Sequence, residues 1–292
     1  MQQDIRVENK STYQSPFFTK RGIGSVLRII FLLVFSFLMI YPLYWLMISG
    51  FKSNEEFFAS PYALPQEWTF QNFIEAWQIA DLGTAMINST IVTVGGTLLT
   101  VFIGALTAYV LSRFDFRLKG LVMVFFVIGM LIPVHSTLVP LFTMMNKVDM
   151  LNTYWALILP YTAFELPIAI FLITAYMSSI PKEIEEASVI DGAGYWGIFF
   201  RMMLPMSIPA MATVAILAFL RYWNEYVFAL VFINDSSLKT LPLSLSIFSD
   251  GYSTNYSLTM AAMAIAVIPT IIMYVFFQEQ IMKGMVAGSV KG

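Results

Sequence analysis

Long apolar runs alternate with shorter polar segments along this chain, and the apolar runs set its predicted architecture. A helix needs about 20 mostly apolar residues to cross the hydrocarbon core of a bilayer. Continuous runs of this length, without the polar/apolar alternation of a membrane β-barrel strand, predict transmembrane helices. The predicted spans cover 26–49, 84–111, 121–144, 154–177, 206–233 and 258–280. The predicted fold class is therefore an all-α membrane protein with six transmembrane helices.

Composition agrees with lipid as the main solvent of the chain. Hydrophobic residues make up 58% of the sequence and charged residues only 12%, against about 25% charged residues in soluble domains. A net charge of −2 gives no electrostatic basis for binding nucleic acid. Because the sequence has no cysteine and a single histidine, disulfides, thiolate catalysis and cysteine- or histidine-rich metal sites are excluded.

The distribution of basic residues predicts the orientation of the chain in the membrane. Lysine and arginine are enriched in the cytoplasmic segments of membrane proteins. With the N-terminus inside, 12 of the 16 basic residues fall in predicted cytoplasmic segments and 3 in external ones, which predicts an N-in, C-in topology. The resulting organisation is a cytoplasmic tail 1–25, a first transmembrane helix 26–50, an external segment 51–83, a core of five transmembrane helices 84–282 with a cytoplasmic loop 181–205, and a cytoplasmic tail 283–292.

The external segment 51–83 is too short to form a domain of its own. An amphipathic helix is predicted from Gln71 to Ile79. Two interpretations remain open: a cap that lies on the membrane surface, or a contact for an external delivery protein.

The cytoplasmic loop from Pro181 to Pro205 is longer than a connection between two membrane helices requires. Proline suits the first turn of a helix, where its missing N–H is not needed. The glutamates that follow, Glu183, Glu185 and Glu186, then lie near the positive end of the helix dipole. A helix that begins at Pro181 is therefore predicted.

The rest of this loop predicts a helix–break–helix motif with one narrow face. Gly192 and Gly194 provide positions where the chain can turn with a positive φ, and Tyr195–Met203 can restart as an amphipathic helix. Residues spaced three and four apart lie on one face of the first helix: Ile184, Ala187, Ser188 and Asp191. The side chains at the middle of this face are small, which suits insertion of the helix into a cleft on a partner protein. The alternative is an interfacial helix, but such helices favour lysine and arginine on their polar face, whereas this one begins with acidic residues.

The spacing in this loop resembles a motif of permease subunits of bacterial ATP-binding-cassette importers. In that family the motif is E-A-A, three residues, G, nine residues, then I-x-L-P. Here Glu186-Ala187-Ser188 is followed at the same spacings by Gly192 and by Met202-Met203-Leu204-Pro205, with serine for the second alanine and methionine for isoleucine. Four further stretches are similar to the carbohydrate-importer branch of this family, as represented by the second subunit of the maltose permease. They are the string EEASVIDGA, the external FKSNEE, Trp223-Asn224-Glu225 and the tail from Lys283 to Gly292.

This resemblance implies a fold, partners and a role for the loop. The implied fold is that of a type I importer permease in the bacterial inner membrane. The implied partners are a second permease subunit, two ATPase subunits that bind ATP and magnesium at the cytoplasmic face, and an extracytoplasmic sugar-binding protein; this chain would bind no cofactor itself. The residues implied to couple ATPase closure to transport are Glu183, Glu186, Ala187, Ser188, Asp191, Gly192, Ala193, Leu204 and Pro205.

Ionisable residues inside predicted spans need an explanation because a charge at the bilayer centre costs roughly 2.5–3.5 kcal/mol on insertion scales. Arg221 and Glu225 are four residues apart, which allows either an ion pair within one helix or a place on a substrate path. Glu165 could accept a hydrogen bond from a neighbouring helix's backbone or face that path. His135, just past Pro133, is expected to stabilise a helix break or helix packing. The candidate path residues are Arg221, Tyr222, Asn224, Glu225 and Glu165.

The predicted function is half of an ATP-driven translocation path for a sugar, with an oligosaccharide favoured over a polyol or a glycerol phosphate. The sequence lacks the glycine-rich phosphate loop of ATPases, so ATP hydrolysis is assigned to separate subunits and no enzymatic activity is expected. An ion-coupled secondary transporter is the alternative, but no internal repeat and no matched pair of intramembrane carboxylates is visible. An intramembrane enzyme lacks a convincing set of catalytic residues.

Overall fold

The computed structural model describes residues 23–248 and 255–289. Most of the predicted tail 1–25 and the last residues of the predicted tail 283–292, Val290–Gly292, lie outside the described residues. The chain divides into two units, one ending at Leu46 and one beginning at Met47. The described part of the first unit is helical, with side chains that are mostly exposed.

The described residues form α-helices joined by turns and short 3₁₀ segments. The long helices are α1 (Ile23–Gly50), α4 (Leu82–Arg113), α7 (Trp155–Ser178), α11 (Ile208–Trp223) and α14 (Tyr256–Ser289). The shorter ones are α2 (Asn54–Ala59), α3 (Gln71–Ile79), α5 (Lys119–Gly129), α6 (Leu138–Lys147), α8 (Lys182–Ile190), α9 (Tyr195–Ile198), α10 (Leu204–Met206), α12 (Val227–Phe232) and α13 (Leu241–Leu245).

Four of the described helices are long and apolar enough to cross a membrane: α1, α4, α7 and α14. Two further spans are possible by length and composition if each of two bent helix pairs is taken as one span. The all-α membrane fold is confirmed, whereas the predicted 121–144 and 206–233 are not continuous helices. Helix α14 also continues past residue 282, where the C-terminal tail was predicted to begin.

The break in 121–144 lies at a proline. Helix α5 ends at Gly129, and the helical stretch Val134–Lys147 is inclined to it by 93°. Pro133 precedes this stretch with φ −63° and ψ 113°. Proline has no N–H to donate and disfavours helical backbone in the residue before it, so the helix cannot pass through this point.

Two interruptions divide 206–233. The helical stretch Tyr195–Met206 meets α11 at 71°, with the bend at Ser207, close to Pro205 and Pro209. At its other end α11 stops at Trp223, and α12 begins only at Val227. Apolarity alone does not locate the bend at Ser207, because mostly apolar residues lie on both sides of it, whereas the second break coincides with the polar residues Asn224 and Glu225.

The predicted amphipathic helix in 51–83 is confirmed as α3, with the same bounds. Its buried Asn72 donates from Nδ2 to the backbone carbonyls of Gly50 and Lys52 at 2.8 and 2.7 Å. Lys52 is itself fully buried, and its Nζ donates to the carbonyl of Ser60 at 2.7 Å. These bonds provide partners for the buried side chains of Asn72 and Lys52, and they join α3 to residues 50–60.

The core is formed where α4 packs against α7 and α11. Small residues let the helices approach closely, as is usual between membrane helices. A Cβ added at Gly104 would lie 3.2 Å from the Cβ of Ala169, and one added at Gly96 would lie 3.1 Å from the ring of Tyr222. This close approach brings α7 and α11 together around the polar groups described below.

Candidate functional site

The first half of the loop 181–205 is the helix α8, and its end has a defined geometry. Gly192 has φ 81°, and its N–H donates to the carbonyl of Val189 at 3.0 Å. The N–H of Ala193 donates to the carbonyl of Ser188 at 2.9 Å. These two bonds form a Schellman motif, in which a residue in the left-handed region ends a helix. The predicted positive φ is confirmed at Gly192, but Gly194 has φ −78° and is extended.

The predicted narrow face of α8 is divided between the inside and the outside of the protein. Ser188 is buried, and its Oγ donates to the carbonyl of Ile184 at 2.9 Å. Ile184 packs on the core, whereas Ala187 and Asp191 are exposed. The spacing correctly placed these residues near one another, but which edge contacts the chain depends on how α8 is oriented. The exposed residues of α8 and its end are Lys182, Glu183, Glu186, Ala187, Val189, Ile190, Asp191 and Gly192.

The second half of the loop is anchored in the core. Helix α9 continues through a π-helical turn, Phe199–Met203, into α10, so the predicted restart from Tyr195 is confirmed as helical. Ile198, Phe199 and Met203 are buried among side chains of α4 and α7. Leu204 is partly buried and Pro205 is exposed at the bend into α11. This half of the loop is therefore packed into the core, whereas α8 lies mostly on the surface.

A second candidate site is a cavity of about 270 Å³ between α7, α11 and α12. It brings together most of the ionisable and aromatic residues that the sequence singled out in 206–233. The lining residues are Val134, His135, Tyr161, Phe164, Arg221, Tyr222, Glu225 and Phe228. An aromatic wall with a few polar groups is typical of small-molecule sites.

Arg221, which lines the cavity, pairs with Glu165, which is not among the lining residues. The Nη1 of Arg221 donates to Oε2 of Glu165 at 2.7 Å, with 58% of the arginine side chain exposed but only 3% of the glutamate side chain. The structure thus contradicts an ion pair between Arg221 and Glu225 within one helix, because α11 ends at Trp223. Glu165 accepts from a side chain and not from a neighbouring backbone.

Glu225 instead stabilises the start of α12. Its Oε1 accepts from the N–H of Phe228 at 2.8 Å and its Oε2 from the N–H of Ala229 at 3.3 Å. The Tyr161 hydroxyl donates to the same Oε2. A carboxylate that caps a helix in this way satisfies N–H groups that have no partner within the helix.

A pair of tyrosines joins α7 to α11 beside these charges. The rings of Tyr161 and Tyr222 stack with centroids 5.3 Å apart, and the Tyr222 hydroxyl donates to the Tyr161 carbonyl at 2.9 Å. Thr100 Oγ1 lies 2.8 Å from the same hydroxyl oxygen. Sequence analysis missed Tyr161 because nothing in its own neighbourhood distinguishes it from other aromatic residues in a span.

For two residues the relation to the cavity differs from the prediction. Asn224 is exposed, does not line the cavity, and donates from Nδ2 to the carbonyl of Leu220 at 2.7 Å. His135 lies in the 3₁₀ segment after Pro133, at the helix break where a role in the break or in helix packing was predicted, but it also lines the cavity, which was not predicted. Among the described residues, no cluster of histidine, aspartate and glutamate could hold a metal ion.

Residues 100–286 match the family of binding-protein-dependent transport system inner membrane components. A probable ABC transporter permease protein of Bacillus subtilis, YurM, is 40% identical over 92% of this chain and 90% of that protein. The chain belongs to this permease family. The resemblance seen in the loop motif is thereby confirmed, and this permease is a multi-pass membrane transport component, not an enzyme.

Other relatives agree with this assignment. The diacetylchitobiose uptake system permease protein NgcG of Streptomyces coelicolor is 38% identical to this permease over 89% of the chain and 85% of that protein. The crystal structure of a bacterial ABC transporter that imports the acidic polysaccharide alginate has the same fold. It superposes with a TM-score of 0.77 at 22% identity, over 91% of this chain and 99% of the other.

Proposed function

We propose that this permease forms half of the path by which an ATP-driven importer carries a sugar across the bacterial inner membrane. Its N- and C-termini would face the cytoplasm. The observation that supports it most directly is the cavity of about 270 Å³, in which aromatic rings surround a few fixed polar groups. Such a surface can contact the apolar faces of a sugar ring and hydrogen-bond its hydroxyls. NgcG, a relative over most of the chain, is named for uptake of an oligosaccharide.

The charges of the cavity favour a neutral saccharide over a glycerol phosphate. Its one guanidinium, on Arg221, is already bound to Glu165. The carboxylate of Glu225 adds a further negative charge, and its oxygens already accept from Tyr161, Phe228 and Ala229. A phosphate ester would meet the Glu225 carboxylate and a guanidinium whose charge Glu165 already compensates, so the cost of removing the phosphate from water would be poorly offset.

Energy for transport would enter through the loop 181–205. In this proposal two ATPase subunits bind ATP and magnesium at the cytoplasmic face and receive the exposed residues of α8, with Glu186, Ala187 and Ile190 at the contact. Ile190 is 86% exposed, which is unusual for a large apolar side chain outside the lipid-facing helices. Exposed apolar residues beside carboxylates are typical of a protein–protein contact. A second permease subunit and an extracytoplasmic sugar-binding protein would complete the assembly.

Reconstitution of the whole complex in proteoliposomes tests the proposed function. Uptake of a neutral oligosaccharide, a uronate oligosaccharide, a polyol and glycerol phosphate would be compared, with ATP supplied on the side of the ATPase subunits. We expect uptake of the neutral oligosaccharide that requires ATP and the binding protein and persists when ionophores collapse ion gradients. Uptake driven by an ion gradient without ATP would show that the permease is a secondary transporter.

The substitution Glu225→Gln tests the proposed path. The amide keeps the shape of the side chain but loses the charge that strengthens its bonds to the N–H groups of Phe228 and Ala229. Because hydrogen bonds to charged groups contribute about 1.5–3 kcal/mol, we expect sugar uptake to change by roughly tenfold while the complex still assembles. Asp149→Asn, which neutralises an exposed carboxylate at φ 52°, is the matched control. Loss of assembly in Glu225→Gln would assign this residue a purely structural role.

A further inference from the structure

Arg113, the last residue of α4, is an arginine whose charge is almost entirely removed from solvent. Only 3% of its side chain is exposed. Its Nε lies 3.2 Å from Oε2 of Glu185 in α8, and its Nη2 donates to the carbonyl of Ile180 at 3.0 Å and to the sulfur of Met203 at 3.6 Å. Buried arginines are rare unless they are paired. Arg113 therefore joins the end of α4 to α8, to Ile180 two residues past the end of α7, and to the second half of the loop.

Few other contacts hold α8. Within this helix only Ser188 is buried, and Ile184 and Glu185 are partly buried. At either end α8 is joined to the chain by non-helical residues, Pro181 with ψ 137° and Gly192 with φ 81°. Backbone at such positions can act as a hinge. The contact between Arg113 and Glu185 is the only ion pair that the described residues provide between α8 and the rest of the chain.

The same end of α4 also holds the second half of the loop. The Tyr109 hydroxyl donates to the Tyr195 carbonyl at 3.3 Å, and the Tyr109 and Phe199 rings lie 5.3 Å apart. The rings of Phe114 and Tyr195 are also 5.3 Å apart. The last turn of α4 therefore contacts both halves of the loop, and Arg113 is the residue of this turn that contacts α8.

We propose that Arg113 is a positioning residue that holds α8 rigidly to the ends of α4 and α7, so that a displacement of the loop moves these helices. Without Arg113, bending at Pro181 and Gly192 would absorb the displacement. This inference rests on the proposed role of the loop in receiving ATPase movement. Lysine can replace the charge but not the planar guanidinium, whose Nη2 donates to Ile180 and Met203 while its Nε makes an ion-pair contact, without a hydrogen bond, with Glu185.

The test compares Arg113→Met, Arg113→Lys and Glu185→Gln in the intact complex, with Arg117→Met as the matched control. Arg117 is exposed and lies only four residues away. Because this chain has no cysteine, spin labels can be attached to it only at introduced cysteines, and the partner subunits are used in cysteine-free form. Val189→Cys marks α8, and Leu98→Cys marks an exposed position of α4 ~22 Å along the helix from Arg113. The distance between the labels is measured by pulsed electron paramagnetic resonance, and sugar imported per ATP hydrolysed is measured in proteoliposomes.

We expect Arg113→Met to broaden the distribution of label distances and to lower sugar imported per ATP by roughly tenfold, a typical size for coupling between distant sites. Arg113→Lys and Glu185→Gln should give intermediate values, and Arg117→Met should match the unmodified complex. Since Glu185 is 20% exposed, water can hydrate its carboxylate when Arg113 is replaced, and the protein should still assemble. An unchanged distance distribution and import ratio in Arg113→Met would overturn the inference.

The failure of this inference can be separated from failure of the proposed function. If Ala187→Trp on the exposed surface of α8 uncouples the complex but Arg113→Met does not, the loop receives the ATPase movement and Arg113 does not transmit it. If Ala187→Trp also leaves coupling unchanged, the proposed function of the loop itself is wrong.

Discussion

Gly192→Pro is expected to abolish sugar-stimulated ATP hydrolysis in the reconstituted complex while leaving the permease in the membrane. Proline fixes φ near −65°, whereas Gly192 has φ 81°. The substitution also removes the N–H that donates to the Val189 carbonyl at 3.0 Å. The helix α8 would then end in another direction, and its exposed residues would no longer be held in one orientation relative to α9.

Two further substitutions separate backbone geometry from side-chain volume at this turn. A Cβ added at Gly192 meets no atom within 4 Å, so Gly192→Ala bears only the cost of a left-handed conformation, about 1–2 kcal/mol. It should reduce coupling less than proline does. Gly194→Ala, at φ −78° and also with no atom within 4 Å of the added Cβ, is the matched control and should behave as the unmodified protein.

The measurement is the ATPase rate with and without sugar-loaded binding protein, together with the amount of assembled complex on gel filtration. Normal stimulation in Gly192→Pro would show that the loop does not transmit ATPase movement. Loss of the assembled complex in Gly192→Pro but not in Ala187→Trp would restrict the effect to folding of the loop, because Ala187 is exposed.

Arg221→Met should destabilise the permease far more than Glu165→Gln, although both remove the same ion pair. The Glu165 side chain is 3% exposed and the Arg221 side chain 58% exposed. Without Arg221 the Glu165 carboxylate is left buried and unpaired, which typically costs about 3–5 kcal/mol. Without the Glu165 carboxylate, water can still hydrate the guanidinium.

A double-mutant cycle makes this asymmetry measurable. The double variant with both Arg221→Met and Glu165→Gln leaves no buried charge, so thermal stability of the purified complex should largely return. Sugar uptake should remain low, because the guanidinium that would bind sugar hydroxyls in the proposed path is absent. Equal destabilisation by Arg221→Met and Glu165→Gln would mean that the exposure of the two side chains does not determine how much stability the permease loses.

The sequence predicted the candidate coupling loop more fully than the candidate path. The start of α8 after Pro181, its end at a positive φ and the helical restart at Tyr195 all depend on neighbouring residues, through capping, glycine conformation and helical spacing. The predicted face of α8 was only partly right. Ser188 turned out to be buried because the orientation of a helix depends on what it packs against.

The cavity could be predicted only in part. Arg221, Tyr222 and Glu225 stood out as polar or ionisable residues in an apolar run, which is a local signal. Glu165 stood out for the same reason, but its pairing with Arg221 did not, because the two are 56 positions apart in sequence. Tyr161, 64 positions from its partner Glu225, did not stand out at all. Asn224 was included as a hydrogen-bonding group beside them, but it lies just past the end of α11 at Trp223 and does not line the cavity.

By itself the sequence determined that most of the chain lies in lipid, that the fold is helical, which family the chain belongs to, and that the chain turns at Gly192. Each of these depends on composition or on the chemistry of residues within a few positions. Only the tertiary structure decided where the apolar runs break, that Glu165 pairs with Arg221, and that Arg113 joins α4 to α8. These contacts depend on how separate helices pack, and a lipid-soluble helix presents apolar residues on all sides, so its sequence does not show which side meets which neighbour.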